Sequence, residues 1–301
     1  MKGLPSKKQH ASKKTVAIII VSVIVLIVVS SLVALNFGSN VYRIASPPAS
    51  SFQTQEWMQY LPSDVTAFRF LNISALTMVS GLFNSSTLMN LDSINMSLTP
   101  YDIRYGVEIY SSNGSFIHVM ALNESFINYI ASSLANQSLL HITYHDVQVY
   151  YLSAQPTSGD GGSWLCINKG AIIFSGSKNA DLQCVMKVID ANDTTFFNSD
   201  VLKIGYLLTS NGKNSLIFSY YAWDANSNNV DIEMRSASNS TPFLDVRTSY
   251  HFQTQQDFDL GYDYFLTQIL SSARSIFVSP TFLIGQYYYN QDRINSLVSA
   301  L

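Results

Sequence analysis

The chain has 301 residues, of which 47% are hydrophobic and 12% charged, with a formal net charge of −3 and two cysteines. Charge at about half the usual ~25%, with no basic excess, argues against nucleic acid, whose binding needs cationic patches that release counterions. The apolar content argues against a disordered chain, and two cysteines exclude a disulfide-dense scaffold or a four-cysteine metal site.

The first 14 residues hold Lys2, Lys7, Lys8, Lys13 and Lys14 and no acid. Thr15 to Leu35 then runs for 21 residues without a charge. At 1.5 Å rise per residue such a run crosses a hydrocarbon layer of about 30 Å. It exceeds the usual signal-peptide core, and no clean cleavage site follows, so an uncleaved anchor is favoured over a cleaved leader. The lysines put its N-terminal end in the cytoplasm. The expected organisation is a basic tail (1–14), a membrane helix (15–37), a linker (38–62) carrying SPPASS, and an extracytoplasmic domain in one or two lobes (63–195 and 196–301). Without the five tail lysines, 12 basic residues face 20 acidic ones, a charge of −8 outside. Eight N-x-S/T sequons lie in this outer part, at Asn72, Asn84, Asn95, Asn113, Asn123, Asn136, Asn192 and Asn239. Each is a candidate glycosylation site, that of Asn239 weakened by the following Pro242.

Ordered structure is expected from Leu61 onward. Thr66, Phe68 and Phe70 alternate as a strand, and Ser74 is placed to cap a helix through Leu76, Val79 and Phe83. Asn113-Gly114 between two β-rich runs predicts a hairpin. A helix opening at Asn123 or Glu124 gathers Phe126, Ile127, Ile130 and Leu134 on one face. Strands ITY and VQVYYL meet at His145-Asp146, and WLCI and AIIF flank Asn168-Lys169-Gly170, another hairpin. Asn179 is placed to cap a helix with Leu182, Val185, Met186 and Ile189 inward. Residues 191–200 read as a break between lobes, followed by a hairpin at Asn211-Gly212. Val230, Ile232 and Met234 alternate with Asp231, Glu233 and Arg235, and Leu244, Val246, Tyr250 and Phe252 with Asp245, Arg247 and His251. These two strands are expected to have one wet face each and to pair Arg235 with Asp245 and Glu233 with Arg247. A helix near 257–273 turns Phe258, Tyr262, Phe265 and Ile269 to one side. Strands over 275–288 and a short helix from Gln291 end the chain. Hairpins interrupted by single helices predict an α+β fold with a mostly antiparallel sheet.

Candidate chemistry is sparse. Cys166 and Cys184 lie in the outer part, where oxidation is permitted. A disulfide closing about 17 residues is worth roughly 3 kcal/mol, with two buried thiols as the alternative. His141 and His145 precede Asp146 and are candidate metal ligands. On a strand, however, a separation of four sets the rings about 13 Å apart, and turn or surface histidines explain them too. His118 reads as a sheet-packed histidine. Ser175 to Lys178 matches S-x-x-K, a serine–lysine nucleophile spacing, as do Ser210 to Lys213; the S-D-N and K-T-G partners are missing. Asp224, Asn226 and Asn228 begin like a calcium loop but lack its glycine and its closing glutamate. Tyr287-Tyr288-Tyr289 and other tyrosines are candidates for a surface that stacks against sugars or a partner.

Sparse charge also suits an acidic exterior, where protonated carboxylates leave few lysines to repel each other. KKTVAIII…LVAL and the Asn/Ser/Tyr-rich exterior resemble anchored, sequon-rich surface proteins of archaea, especially those of hot acidic habitats; the resemblance implies location more than activity. The leading expectation is a non-enzymatic interaction or accessory domain of a membrane complex or cell envelope. It contacts lipid through residues 15–37 and a protein partner outside, and it has no cofactor. An anchored hydrolase and a solute receptor with a cleft near residues 191–202 are the competitors.

Overall fold

In the computed structural model the chain divides into two compact units, Met1–Asn40 and Val41–Leu301. The structure describes residues 40–80, 89–91, 96–152, 162–175, 182–210, 212–223, 230–240 and 243–290. The expected membrane helix, the Phe83 and Asn179 positions and the helix from Gln291 lie outside them. No helix of the described residues is long and apolar enough to cross a membrane.

The fold is α+β and mostly antiparallel. Its strands are β1 (Asn40–Arg43), β2 (Val65–Leu71), β3 (Met89–Leu91), β4 (Met96–Leu98), β5 (Ile103–Ser111), β6 (Phe116–Leu122), β7 (His141–Tyr144) and β8 (Val147–Leu152). The series continues with β9 (Ser163–Asn168), β10 (Ala171–Ser175), β11 (Ser215–Ala222), β12 (Val230–Ser240), β13 (Phe243–Phe252), β14 (Ser275–Ser279) and β15 (Phe282–Asn290). Thirteen of them form one sheet in the order β1-β14-β15-β13-β12-β11-β2-β5-β6-β10-β9-β8-β7, and β3 and β4 pair separately. The join between the earlier and later strands is β2 beside β11, with Phe70 opposite Phe218. The helices are α1 (Ile73–Ser80), α2 (Glu124–Ala135), α3 (Leu182–Asp190), α4 (Asp200–Thr209) and α5 (Gln255–Tyr264).

The local turn chemistry is as the sequence predicts at three hairpins. Gly114 (φ 81°) turns β5 into β6; Lys169 and Gly170 (49° and 78°) turn β9 into β10; His145 and Asp146 (44° and 63°) turn β7 into β8. Paired positive φ values make the last two tight turns of the type whose twist matches the strands. In α2, Ile130 and Leu134 are buried, with Phe126 and Ile127 packed beside them.

Each face of the sheet carries a core. On one, Phe68, Val107, Ile117, Val119, Ile173 and Phe218 pack under α3 and the segment 56–61. On the other, three smaller clusters gather: Ile103, Met120 and Ile172 with α2; Ile217, Ala237 and Val246 with Leu76 of α1; and Phe252 and Leu283 with Phe258 of α5.

Several expectations need correction. Residues 38–62 are not a bare linker: Trp57, Met58, Tyr60 and Leu61 are buried in the main core, on a 3-10 turn over Glu56–Tyr60. One turn of helix is too short to show periodicity beside SPPASS. Residues 191–200 do not break the structure, because Phe196 and Phe197 are buried in that same core. The expected cap of α1 is Asn72, whose Oδ1 accepts from the Ala75 amide at 3.1 Å, rather than Ser74. The expected first arm of the Asn211-Gly212 hairpin is helix α4 instead, capped by Ser199 through the Leu202 amide. Tyr206 and Thr209 then fall on its buried side.

The β12–β13 register differs by three residues: Arg235 faces Thr248 and Ser238 faces Asp245. Ser240 opposes Phe243, so a two-residue connection sets the register. The charges pair along each strand rather than across it, Arg235 with Glu233 and Arg247 with Asp245. Nor are the expected wet faces wet: Glu233, Asp245 and His251 are buried. Beyond α5 the backbone makes a π turn over Phe265–Ile269. That extra residue puts Leu270 inside and leaves Ile269 exposed. The expected disulfide is absent. Cys166 and Cys184 are buried and form no disulfide; Cys166 lies opposite Val149 and Ile173 in the sheet, while Cys184 Sγ accepts from the Asn113 side-chain amide at 3.3 Å.

Candidate functional site

Among the described residues, Ser175, His141 and His145 each have their own structural partner. Ser175 is buried at the end of β10, and its Oγ accepts the Trp164 amide at 2.7 Å, closing the β9–β10 edge. Lys178 lies outside the described residues, as do Asp224, Asn226 and Asn228. His141 is exposed, with Nδ1 3.1 Å from the Leu139 carbonyl. His145 sits in the β7–β8 turn with Nε2 3.5 Å from an Asp190 oxygen, beside an exposed Asp146. Among the described residues no group of three or more His, Cys, Asp or Glu is placed to hold a metal ion. His118 packs on Phe116 and Phe174, and burial lowers its pKa.

Of the sequons, Asn113, Asn123, Asn136, Asn192 and Asn239 are exposed and Asn72 is half-buried; Asn84 and Asn95 lie outside the described residues. Asn72 caps α1, and the Asn113 side-chain nitrogen is held by Cys184, while that of Asn123 donates to the Tyr101 carbonyl at 3.2 Å.

The arrangement that stands out crosses the middle of the sheet, on the face that carries α1, α2 and α5. Strand register sets His118, Glu108, Arg69, Ser219, Arg235 and Thr248 side by side on six successive strands. The next row holds Phe116, Tyr110, Ala67, Tyr221, Glu233 and Tyr250. At about 4.8 Å between strands, His118 and Arg235 are some 19 Å apart.

Two ion pairs occupy the strip. Arg69 Nε donates to Glu108 Oε2 at 2.7 Å and Nη2 approaches the same oxygen at 2.5 Å. Arg235 Nε donates to Glu233 Oε1 at 2.5 Å, and the Trp223 indole donates to Glu233 Oε2 at 3.1 Å. Glu233 is only 2% exposed, while Arg235 is 33% exposed. Burial alone would lower the Arg235 pKa, but the Glu233 carboxylate outweighs it. Between the arginines, Ser219 is fully buried and its Oγ has no hydrogen-bond partner.

Rings rim these charges. Tyr110 stacks on Phe116 at 4.5 Å between centroids. Tyr110 is 41% exposed and Trp223 46% exposed. Burial raises the Tyr110 pKa, with Glu108 adding to it, and raises that of Tyr250. Both phenols therefore stay neutral donors. Half-buried arginines beside exposed Trp and Tyr match the residue types enriched at binding hot spots.

The strip was missed because each strand contributes one or two residues, so no short motif marks it. The usable signal was charge at strand centres: Arg69 between Phe68 and Phe70, Glu108 between Val107 and Ile109. In a chain with 12% charged residues, such placements are informative.

No family model matches the chain, and no curated protein matches its sequence. Among solved structures it is similar to crystal forms of TP0453. Form IV gives a TM-score of 0.47 at 10% identity over 83% of this chain and 98% of that one. Form III gives 0.46 at 11% over 84% and 100%, and form I 0.43 at 10% over 81% and 96%. Likeness at this level assigns the chain to no family and carries no function to it.

Proposed function

We propose that the chain is a membrane-anchored, extracytoplasmic interaction domain whose binding surface is the strip of Arg69, Glu108, Arg235, Tyr110 and Trp223, with the buried Glu233 holding Arg235 in place. The observation that carries this reading is charge and aromatic exposure at the centre of a sheet whose flanks are covered. Tyr110, near the end of β5, and Trp223, just past the end of β11, are each more than two-fifths exposed although both strands lie in the middle of the sheet order. Isolated exposed apolar residues need no explanation, but a contiguous set of rings and paired charges marks a binding surface.

The uncharged run Thr15–Leu35 behind five lysines supports the anchor and the N-in orientation. The exposed sequons support an outside location. Ser175 and the histidines already have structural partners, which weakens the hydrolase reading. Phe196 and Phe197 fill the region where a receptor cleft is expected.

The test is extraction of the full chain from its native membranes in a mild detergent, alongside Trp223→Ala and Tyr110→Ala variants. A stoichiometric envelope component should co-purify with the wild type and be lost from both variants. A wild type recovered alone, or a component retained equally by the variants, overturns the proposal.

A further inference from the structure

The chemistry of the strip also bears on what it binds; the following rests on the strip being the binding surface. Each arginine is matched by a glutamate, Arg69 by Glu108 and Arg235 by Glu233. The strip is thus close to self-neutral, and it offers neither an anion nor a cation a net counter-charge. It does offer fixed donors and acceptors. A guanidinium has five N–H donors in one plane and a carboxylate about four acceptor sites. Pairing holds both groups in place, so little rotamer freedom is left to lose on binding. In Arg235 the bond to Glu233 uses Nε, and a third of the side chain stays exposed. A ligand suited to such an array carries groups that donate and accept at once, as hydroxyls do.

The rings add the second requirement. Tyr110, stacked on Phe116, lies on the β5 side of Arg69, and Trp223, just past the end of β11 and bonded to Glu233, lies on the other. Their exposed surfaces suit apolar C–H groups, while the neutral Tyr110 phenol remains polar at the edge; the Trp223 indole N–H is committed to Glu233. A ligand with hydroxyls around its rim and C–H groups on its faces, repeated along the roughly 14 Å from β5 to β12, satisfies both requirements.

We infer that the strip is a carbohydrate site, and that its ligand is a neutral oligosaccharide laid across β5, β2, β11 and β12. Arg69, Glu108 and Arg235 hold hydroxyl groups, and Tyr110 and Trp223 stack on sugar rings. A monosaccharide reaches only one ring and one ion pair, so affinity should rise with chain length.

The experiment uses the full chain made in a host that does not glycosylate, in a detergent without sugar headgroups, so that no glycan already fills the strip. An array of neutral oligosaccharides, including maltohexaose and a high-mannose glycan, is probed beside sulfated heparin hexasaccharide. Hits are titrated calorimetrically. The inference expects a neutral hit whose binding weakens at least about tenfold in both Trp223→Ala and Tyr110→Ala, with Tyr110→Ala unfolding close to wild type and Trp223→Ala, which takes a donor from the buried Glu233 carboxylate, still folded by circular dichroism at the titration temperature. Trp223→Phe, which keeps a ring, should retain most of the binding. No neutral hit, binding of heparin alone, or a neutral hit indifferent to both variants overturns it. A component that co-purifies through Trp223 with no sugar bound sinks the ligand class and leaves the interaction reading standing. Sugar binding without any co-purifying component sinks the partner and keeps the site.

Discussion

Trp57→Ala separates two accounts of the segment that precedes the first core strand. The indole is 5% exposed and lies 4.9 Å from the Phe70 ring, 5.5 Å from Phe68 and 6.0 Å from Phe218. It also meets Phe197 and Tyr206 at 6.3 Å. A Trp side chain buries about 150–250 Å², which at about 25 cal/mol per Å² is worth roughly 4–6 kcal/mol. Discounting for a denatured chain that already buries some of this area brings it to about 3–5 kcal/mol, the range of measured large-to-small core changes. For a domain of this size each kcal/mol moves the melting temperature by about 2–4 °C, so a drop of roughly 10 °C is expected. The assay is urea unfolding of the full chain followed by far-UV circular dichroism, with a thermal melt as a second probe. A loss under about 0.5 kcal/mol, the size of an ordinary surface change, would refute the reasoning and restore residues 38–62 as a tether outside the fold.

Glu233→Leu should cost about 2–3 kcal/mol, because it strands the half-buried Arg235 guanidinium, and Glu233→Leu with Arg235→Leu should cost less than the single change; a double variant worse than the single one contradicts the pairing. Burial lowers the His118 pKa, so the unfolded chain binds more protons below about pH 6.5. The contribution of neutral His118 is complete above that pH and is lost as pH falls, and His118→Phe should flatten the acid limb of a stability–pH curve. Burial raises Tyr60, Tyr220 and Tyr287 to about 12; their contribution is complete below about pH 10 and lost as pH rises through 12. A 295 nm titration should therefore show a block of phenolates released only with unfolding. Burial also pushes the Cys166 thiol up to about 12. Cys166 should not react with a disulfide reagent at pH 8 until the chain unfolds, and a reductant should leave the melting temperature unchanged.

What the sequence disclosed is local. Helix α2 shows itself by Phe126, Ile127, Ile130 and Leu134, and three hairpins by Asn113-Gly114, His145-Asp146 and Asn168-Lys169-Gly170, because spacing and positive φ act between near neighbours. The sheet order is non-local: Phe70 and Phe218 are neighbours that no periodicity connects. Charge pairing across β12 and β13 misled for a related reason. Glu233 and Arg235 satisfy each other along one strand, so register was free to follow the two-residue connection. Phe196 and Phe197 looked like loop residues because ANDTTFFNSD is mostly polar, yet two adjacent rings sufficed to draw the segment inward. Arg69, Glu108, Ser219 and Arg235 meet only once the strands are ordered, and so the strip could not be read before the fold.

The central claim, that this strip is where the domain meets its partner, is tested most directly by placing a photo-activatable phenylalanine analogue, which keeps an aromatic ring, at position 223 and another at Leu260. Leu260 lies on the exposed side of α5, 66% open to solvent. On illumination in native membranes, position 223 should give one discrete adduct that free neutral oligosaccharide competes away, and position 260 should give none. Equal labelling from the two positions, or no adduct at 223, would contradict the account.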